Sequence, residues 1–314
     1  MNETIAVIGA GLIGRAWAVV FARAGFAVRL QDPDAEALAR SKAAIAATLA
    51  DLHQAGLCGK PERILRRITR HAELGTALEG VTYVQECGPE DVGLKRRLFS
   101  ALEAAAPRDA ILASSTSGIT ATDFAGHLDR PERCLVAHPV NPPSLVPLVE
   151  VVPGARTASD CVARTLALMR RVEQVPIHVR KEIEGFVLNR LQGALLTEAL
   201  RLYRDGYVSA EDLDRTVRDG LGRRWSFMGP FETIDLNAPG GVADYARRYG
   251  PLYTAIDRQR SDAPPWQPEV LERLADELRA VRPAEALEKR QAWRDRRLMA
   301  LSVHLGDAAS ESET

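Results

Sequence analysis

Two side chains twelve positions apart, His138 and Glu150, carry the clearest chemistry in this 314-residue chain. His138 ends the apolar run Cys134-Leu135-Val136-Ala137 and is followed by Pro139-Val140-Asn141-Pro142-Pro143. The prolines stop a strand and stiffen its exit. Glu150 lies inside a second apolar run, Val146-Pro147-Leu148-Val149-Glu150-Val151-Val152. A carboxylate there is costly to bury without a partner. A His–Glu pair answers that cost: the carboxylate accepts from one ring nitrogen and leaves the other to take a proton. Such pairing also stabilises the charged imidazolium. The result would be a general base with its orienting partner; a packed structural histidine is the plainer alternative. His53, His71, His127 and His304 lie in polar or surface-like contexts. Between strand and turn, Ala113-Ser114-Ser115-Thr116-Ser117-Gly118 runs out into small hydroxyl residues where a sheet of this kind opens to ligand. One hydroxyl can touch a substrate there, and a capped turn with no further role fits equally well.

A second cluster, Gly9-x-Gly11-x-x-Gly14, follows the apolar run Thr4–Ile8 and opens an alanine-rich stretch from Arg15 to Arg23. Glycine-rich turns are common. This one sits between a strand and a helix, and Asp32 closes the next strand about 20 residues on, which is the dinucleotide-binding context. Gly9 permits the tight turn, Gly11 lets the backbone approach a pyrophosphate, and Gly14 lets helix pack close to strand. The helix N-terminus then offers free N–H groups and a partial positive charge to the phosphates. Asp32 would accept from the adenosine ribose hydroxyls. A 2′-phosphate would meet Asp32 and nearby Asp34 with like charge, so NAD is favoured over NADP.

These groups need a scaffold, and the apolar pattern supplies one. Strands are expected at Thr4–Ile8, Ala27–Asp32, Val81–Gln85, Ala110–Ser114, Cys134–His138, Val146–Val152 and Ile177–Arg180. Helices are expected over 34–54, 91–105 and 158–171, with a shorter helical piece from Arg63 to Arg70. Alternation of this kind predicts an α/β fold, a Rossmann-type doubly wound sheet. From 184 the pattern turns helical, with Leu188, Leu191, Leu195, Ala199 and Leu202 on one face. The expected organisation is a sheet domain over 1–182, an all-helical domain over 183–307 and a disordered acidic tail over 308–314.

Composition narrows the class. Hydrophobic residues make up 46% and charged residues 26%, as in a soluble globular protein. Basic and acidic residues number 41 and 42, a net −1 that leaves no electrostatic footprint for nucleic acid or anionic membrane. No apolar run approaches the ~18 residues of a membrane span, and a strand beginning at Thr4 leaves no room for a signal peptide. The expected location is cytoplasmic. Cys58, Cys87, Cys134 and Cys161 are widely separated with no C-x-x-C pairing, so they read as reduced, mostly buried thiols, and no metal site is expected.

Taken together, Gly9–Gly14 with Asp32, Ser117, His138-Pro139-x-Asn141-Pro142, Leu148-Val149-Glu150-Val151 and Gly185-Phe186-x-x-Asn189-Arg190 resemble the L-3-hydroxyacyl-CoA dehydrogenase family over about residues 4–240. Gly229-Pro230-Phe231-Glu232 resembles a turn of that family's helical domain. A finer likeness is to its lambda-crystallin-like branch, whose enzymatic identity is L-gulonate 3-dehydrogenase. It is carried by His138-Pro139-Val140-Asn141-Pro142-Pro143, by Gly220-Leu221-Gly222-Arg223-Arg224-Trp225-Ser226-Phe227 and by Arg290-Gln291-Ala292-Trp293-Arg294-Asp295.

The resemblance implies His138 as general base and Glu150 as its orienting partner. Ser117 and Asn189 would hold the reacting hydroxyl and the carbonyl oxygen that replaces it. Leu12, Ile13, Asp32, Glu90 and Lys95 would contact NAD. The implied reaction is NAD-dependent oxidation of the C3 hydroxyl of a 3-hydroxy acid, with a free sugar acid such as L-gulonate foremost. An L-3-hydroxyacyl-CoA or carnitine-type substrate and a non-enzymatic crystallin-like role are the alternatives. Ser115 stands where the CoA enzymes usually have asparagine, which speaks against CoA-type contacts. For the substrate carboxylate, the planar fork of Arg224 or its neighbour Arg223 is the candidate. The basic run Lys60, Arg63, Arg66, Arg67 and Arg70 would face a CoA phosphate or form a solvated face. The family also implies a homodimer through the helical domain, which the apolar stripe of 187–202 suits.

Overall fold

A computed structural model describes residues 3–259, 265–281 and 283–311. Its first part alternates strand and helix: β1 (Thr4–Ile8), α1 (Leu12–Arg23), β2 (Ala27–Gln31), α2 (Ala35–Gln54), α3 (Pro61–Leu65), β3 (Ile68–His71), α4 (Leu74–Leu78), β4 (Tyr83–Glu86), α5 (Val92–Ala105), β5 (Ile111–Ser114), α6 (Ala121–Ala125), β6 (Cys134–Pro139), β7 (Leu148–Pro153), α7 (Ser159–Arg171) and β8 (Val175–His178). The rest is helical: α8 (Leu188–Arg204), α9 (Ala210–Arg215), α10 (Gly222–Trp225), α11 (Pro230–Leu236), α12 (Gly241–Arg258), α13 (Pro268–Val281) and α14 (Leu287–Glu311).

The strands form one eight-stranded sheet in the order β3-β2-β1-β4-β5-β6-β7-β8. Every neighbouring pair is parallel except β6 and β7, which run antiparallel. The doubly wound α/β fold expected from the alternation is present. Helices cover both faces, so β1 buries Ile5, Ala6, Val7 and Ile8 alike and reads as a continuous apolar run. One core gathers Trp17, Phe21, Ile45, Leu49, Tyr83 and Leu135. The other gathers Val84, Phe99, Leu102, Phe124, Leu128 and Phe186.

Three expectations shift. The helical piece over Arg63–Arg70 stops at Leu65, and β3 follows at the sheet edge, with Ile68 opposite Val28 of β2. An edge strand of four residues needs only one apolar side chain, so it shows no alternation to read. The last strand lies at Val175–His178 rather than Ile177–Arg180. Helix α8 starts at Leu188, after a turn in which Gly185 (φ 72°) and Phe186 (φ 49°) take left-handed backbone. One compact unit runs through Arg190 and takes in the chain from Arg294 onward, and the other is Leu191–Trp293. Residues 183–190 go with the sheet because Phe186 is buried in its second core, and Met299 returns α14 to the first. Of the tail expected over 308–314, the backbone is helical to Glu311, as its alanines permit, and 312–314 lie outside the described residues.

Within the helical unit, Leu200, Tyr203, Ala210 and Val270 form a small core. Ser209 caps α9, and the Ala210 N–H donates to Glu277 Oε1 at 2.9 Å. Among the described residues no helix is long and apolar enough to cross a membrane, and no cluster of His, Cys, Asp or Glu is fit to hold a metal ion.

Candidate active site

The antiparallel register of β6 and β7 sets His138 directly opposite Glu150. Opposed residues share a face of the sheet, and here the side chains meet: His138 Nδ1 lies 2.8 Å from Glu150 Oε2. His138 is 5% exposed and Glu150 0%. Glu150 Oε1 accepts from the backbone N–H of Val187 at 2.8 Å and of Leu188 at 2.9 Å. The carboxylate therefore sits at the N-terminus of α8, where free N–H groups and the helix dipole favour negative charge. The left-handed turn at Gly185 and Phe186 delivers those two donors, and the Phe186 ring packs 5.6 Å from the imidazole. Burial pushes the Glu150 carboxyl up, but hydrogen bonds from His138, Leu188 and Val187 outweigh it and hold the group below the usual carboxylate range. With Nδ1 on a carboxylate, the Nε2 of His138 is the atom left to exchange a proton; it makes no hydrogen bond among the described residues.

Asn189 follows Leu188 directly, and its Nδ2 donates to the Ser117 carbonyl at 2.7 Å. Ser117 is exposed on the turn after β5. The four residues expected to act on substrate are thus joined in one chain of contacts, from His138 through Glu150 and the start of α8 to Asn189 and Ser117. Arg223 and Arg224 are exposed on α10 of the helical unit.

The glycine turn has the form a dinucleotide needs. Gly9 has φ 104°, and a Cβ on it would lie 2.8 Å from the Cys87 carbonyl oxygen. A Cβ on Gly14 would lie 1.8 Å from the Gly9 oxygen, whereas one on Gly11 would meet nothing within 4 Å. Gly9 and Gly14 are therefore required by the fold, and Gly11 keeps open space in front of α1. That helix has no side-chain cap and no acidic residue in its first turn, so the N–H groups of Leu12 and Ile13 face outward for an anion. Asp32 accepts from Ala10 N at 2.7 Å and Asp34 N at 2.9 Å, which orients its carboxylate while leaving lone pairs for ribose hydroxyls. These residues fit NAD.

Glu90 and Lys95 sit differently from a simple cofactor contact. Lys95 is 2% exposed, and its ammonium lies 2.9 Å from both oxygens of Glu86 and 3.8 Å from Glu90 Oε2. Glu90 Oε1 accepts from Thr116 Oγ1 at 2.5 Å, Ser117 N at 2.9 Å and Gly118 N at 3.2 Å. Sequence reasoning missed Glu86. The signal was available: it is a carboxylate ending a buried strand, the same argument that singled out Glu150. It also left Ser115 without a partner. The Ser115 hydroxyl accepts from Gln85 Nε2 at 2.7 Å and lies 3.3 Å from Cys87 Sγ, a thiol that burial pushes up to about 12 and so keeps unreactive.

Comparison with known proteins agrees with this fold. The 3-hydroxyacyl-CoA dehydrogenase NAD binding domain matches residues 4–183, and the C-terminal domain of the same family matches residues 185–286. The chain belongs to the 3-hydroxyacyl-CoA dehydrogenase family. It is 43% identical to a lambda-crystallin homolog of Bos taurus over 303 residues, covering 95% of this chain and 94% of that one. It is 38% identical to an L-carnitine dehydrogenase of Burkholderia mallei over 277 residues, covering 88% and 83%. Among solved structures, a 5-formyl-3-hydroxy-2-methylpyridine 4-carboxylic acid 5-dehydrogenase, described as an NAD+-dependent dismutase, superposes with a TM-score of 0.84 at 29% identity over 98% of this chain and 99% of that one. As a member of this family the chain is an NAD-dependent dehydrogenase of the 3-hydroxyacyl-CoA dehydrogenase type, acting on CH–OH groups.

Two variants separate the glycines. Gly14→Ala drives a methyl into backbone and is expected to cost about 1–3 kcal/mol in a thermal melt. Gly11→Ala should melt normally yet weaken NADH binding about tenfold, the loss of about 1.4 kcal/mol, in a fluorescence titration. For Glu150, a lowered carboxyl contributes stability that is complete above its ordinary value of 4.5 and is lost as pH falls through the lower folded value. Wild type should therefore exceed Glu150→Gln by about 2 kcal/mol in urea at neutral pH, with the gap closing in acid.

Proposed function

We propose that this dehydrogenase oxidises the C3 hydroxyl of a free 3-hydroxy acid, a sugar acid such as L-gulonate, with His138 as general base. The observation that carries this is the 2.8 Å pairing of His138 Nδ1 with a buried Glu150, which leaves Nε2 as the proton-accepting atom. NAD, when bound, supplies the acceptor for the C3 hydride. His138 takes the hydroxyl proton, and Glu150 steadies the imidazolium that results. Ser117 and Asn189 orient the oxygen, and the hydrogen bond between them keeps the two at one spacing. Gly11, Leu12 and Ile13 would hold the pyrophosphate and Asp32 the ribose, with Glu90 and Lys95 as further contacts that the family resemblance implies.

Two observations speak for a free acid over a CoA ester. The Ser115 hydroxyl is spent on Gln85 and Cys87. Within the basic run, Arg67 donates to the Ala22 carbonyl at 3.0 Å and Arg70 to the Leu38 carbonyl at 3.3 Å, so part of it is engaged by the protein itself. A carnitine-type substrate is the second reading, favoured by the likeness to the L-carnitine dehydrogenase of Burkholderia mallei. The joined set of Ser117, His138, Glu150 and Asn189 speaks against a purely structural role.

The test is NADH formation from NAD with L-gulonate, L-carnitine, L-3-hydroxybutyrate and L-3-hydroxybutyryl-CoA. Turnover on a free acid, cut about 10²–10⁴-fold in His138→Gln with NADH binding intact, is the expected result. Turnover on the CoA ester alone, or near-normal turnover in His138→Gln, would overturn the reading.

The same reading includes a homodimer through the helical unit. Leu191, Leu195, Leu196 and Leu202 on α8 are exposed, and an apolar stripe of this size is what a second copy would cover. Light scattering should give twice the 34.3 kDa chain mass, moving toward the monomer in Leu191→Glu with Leu195→Glu. A wild-type monomer would exclude the dimer.

A further inference from the structure

Glu86 is 0% exposed, and each of its lone pairs is used. Oε1 accepts from Lys95 Nζ at 2.9 Å and Gly88 N at 2.6 Å; Oε2 accepts from Lys95 Nζ at 2.9 Å and Ser114 Oγ at 2.5 Å. A buried ion pair of this kind is a poor source of stability, since well-packed apolar residues often do as well or better. Its place is informative. It lies at the carboxyl ends of β4 and β5, where a doubly wound sheet binds ligands. On one side it touches the chain at Gly88, next to the Cys87 carbonyl that crowds Gly9. On the other, Lys95 faces Glu90, whose Oε1 alone receives Thr116 Oγ1, Ser117 N and Gly118 N.

We infer that Glu86 is a positioning residue: by holding the Lys95 ammonium it keeps Glu90 on the 116–118 turn. Two Lys95 protons go to Glu86 and a third points to the Gly88 carbonyl at 3.5 Å, so at 3.8 Å Glu90 feels the charge without a hydrogen bond. Make Glu86 a neutral amide and the balance breaks. A glutamine oxygen cannot match the ammonium, and its NH2 would face Lys95, a donor that cannot turn to accept. Lys95 then finds its only full countercharge in Glu90, and a carboxylate drawn to the ammonium releases the three donors of the turn. The catalytic consequence rests on the reading of Ser117 as a substrate contact.

Hydrogen–deuterium exchange on the full chain, with and without NADH, tests this. In Glu86→Gln the segment 115–119 should exchange about tenfold faster, the worth of one hydrogen bond. The segment holding Val187 and Leu188, tied to Glu150, should not change. Adding Lys95→Met removes the pull, and Ser114 can turn its hydroxyl to accept from the new amide, so the double variant should return 115–119 to near the wild-type rate. Unaltered exchange at 115–119 in Glu86→Gln, acceleration spread over the whole sheet domain, or no recovery in the double variant would overturn the inference. Should Glu86→Gln fail to fold, Glu90→Gln serves, its side chain being 47% exposed. It should loosen the same segment, and unchanged exchange there would sink the relay. With a working substrate, Glu86→Gln should raise KM and lower kcat non-additively with Ser117→Ala. If the exchange pattern is obtained but Ser117→Ala leaves the kinetics unchanged, the relay stands and the substrate role of Ser117 falls.

Discussion

A carboxylate with no exposure must have its lone pairs answered, and Glu150 is the case on which this site depends. Its three partners come from two stretches of chain: the imidazole of His138 from β6 and the N–H groups of Val187 and Leu188 from the turn into α8. Each is held by something larger. The imidazole is placed by strand register, and the N–H groups by a turn that forces a buried phenylalanine into left-handed backbone. Such backbone costs roughly 1–3 kcal/mol and persists only where the surroundings over-determine it. The burial of Phe186 beside His138 and the charge on Glu150 together do so here.

The antiparallel strand explains why the pair exists at all. In an all-parallel sheet, residues at the carboxyl ends of neighbouring strands line one crevice but do not face each other in closely spaced antiparallel pairs. Reversing β7 brings a mid-strand residue beside a strand-end residue. His138 then sits at the ligand end of the sheet while its partner stays deep in the core. The imidazole gains orientation, and the carboxylate is kept from water and substrate.

The glycine turn, Asp32, Glu86 and Glu90 form a second frame built on the same economy. Asp32 fastens the turn through Ala10 before any ligand arrives, and Glu86 and Lys95 tie β4, β5 and the start of α5 together. Pre-set donors and charges cost little to reorganise when a cofactor or substrate binds. Side chains that look like ligand contacts in the sequence prove to be braces as well, and Glu90 is one: its Oε1 is committed to the 116–118 turn.

Much of this was legible in the sequence. The glycine spacing, Asp32, the strand-and-helix alternation, and the cost of a carboxylate in an apolar run all act locally or with fixed period, so residue order alone carries them. The pairing of His138 with Glu150 could be argued from that cost, but its 2.8 Å geometry depends on the register of an antiparallel pair. The edge strand β3 escaped notice because a strand sharing one side of a sheet need bury little. The Glu86–Lys95–Glu90 cluster escaped for another reason. Which donors reach a buried charge is settled by residues far apart in sequence, and only the folded chain brings them together.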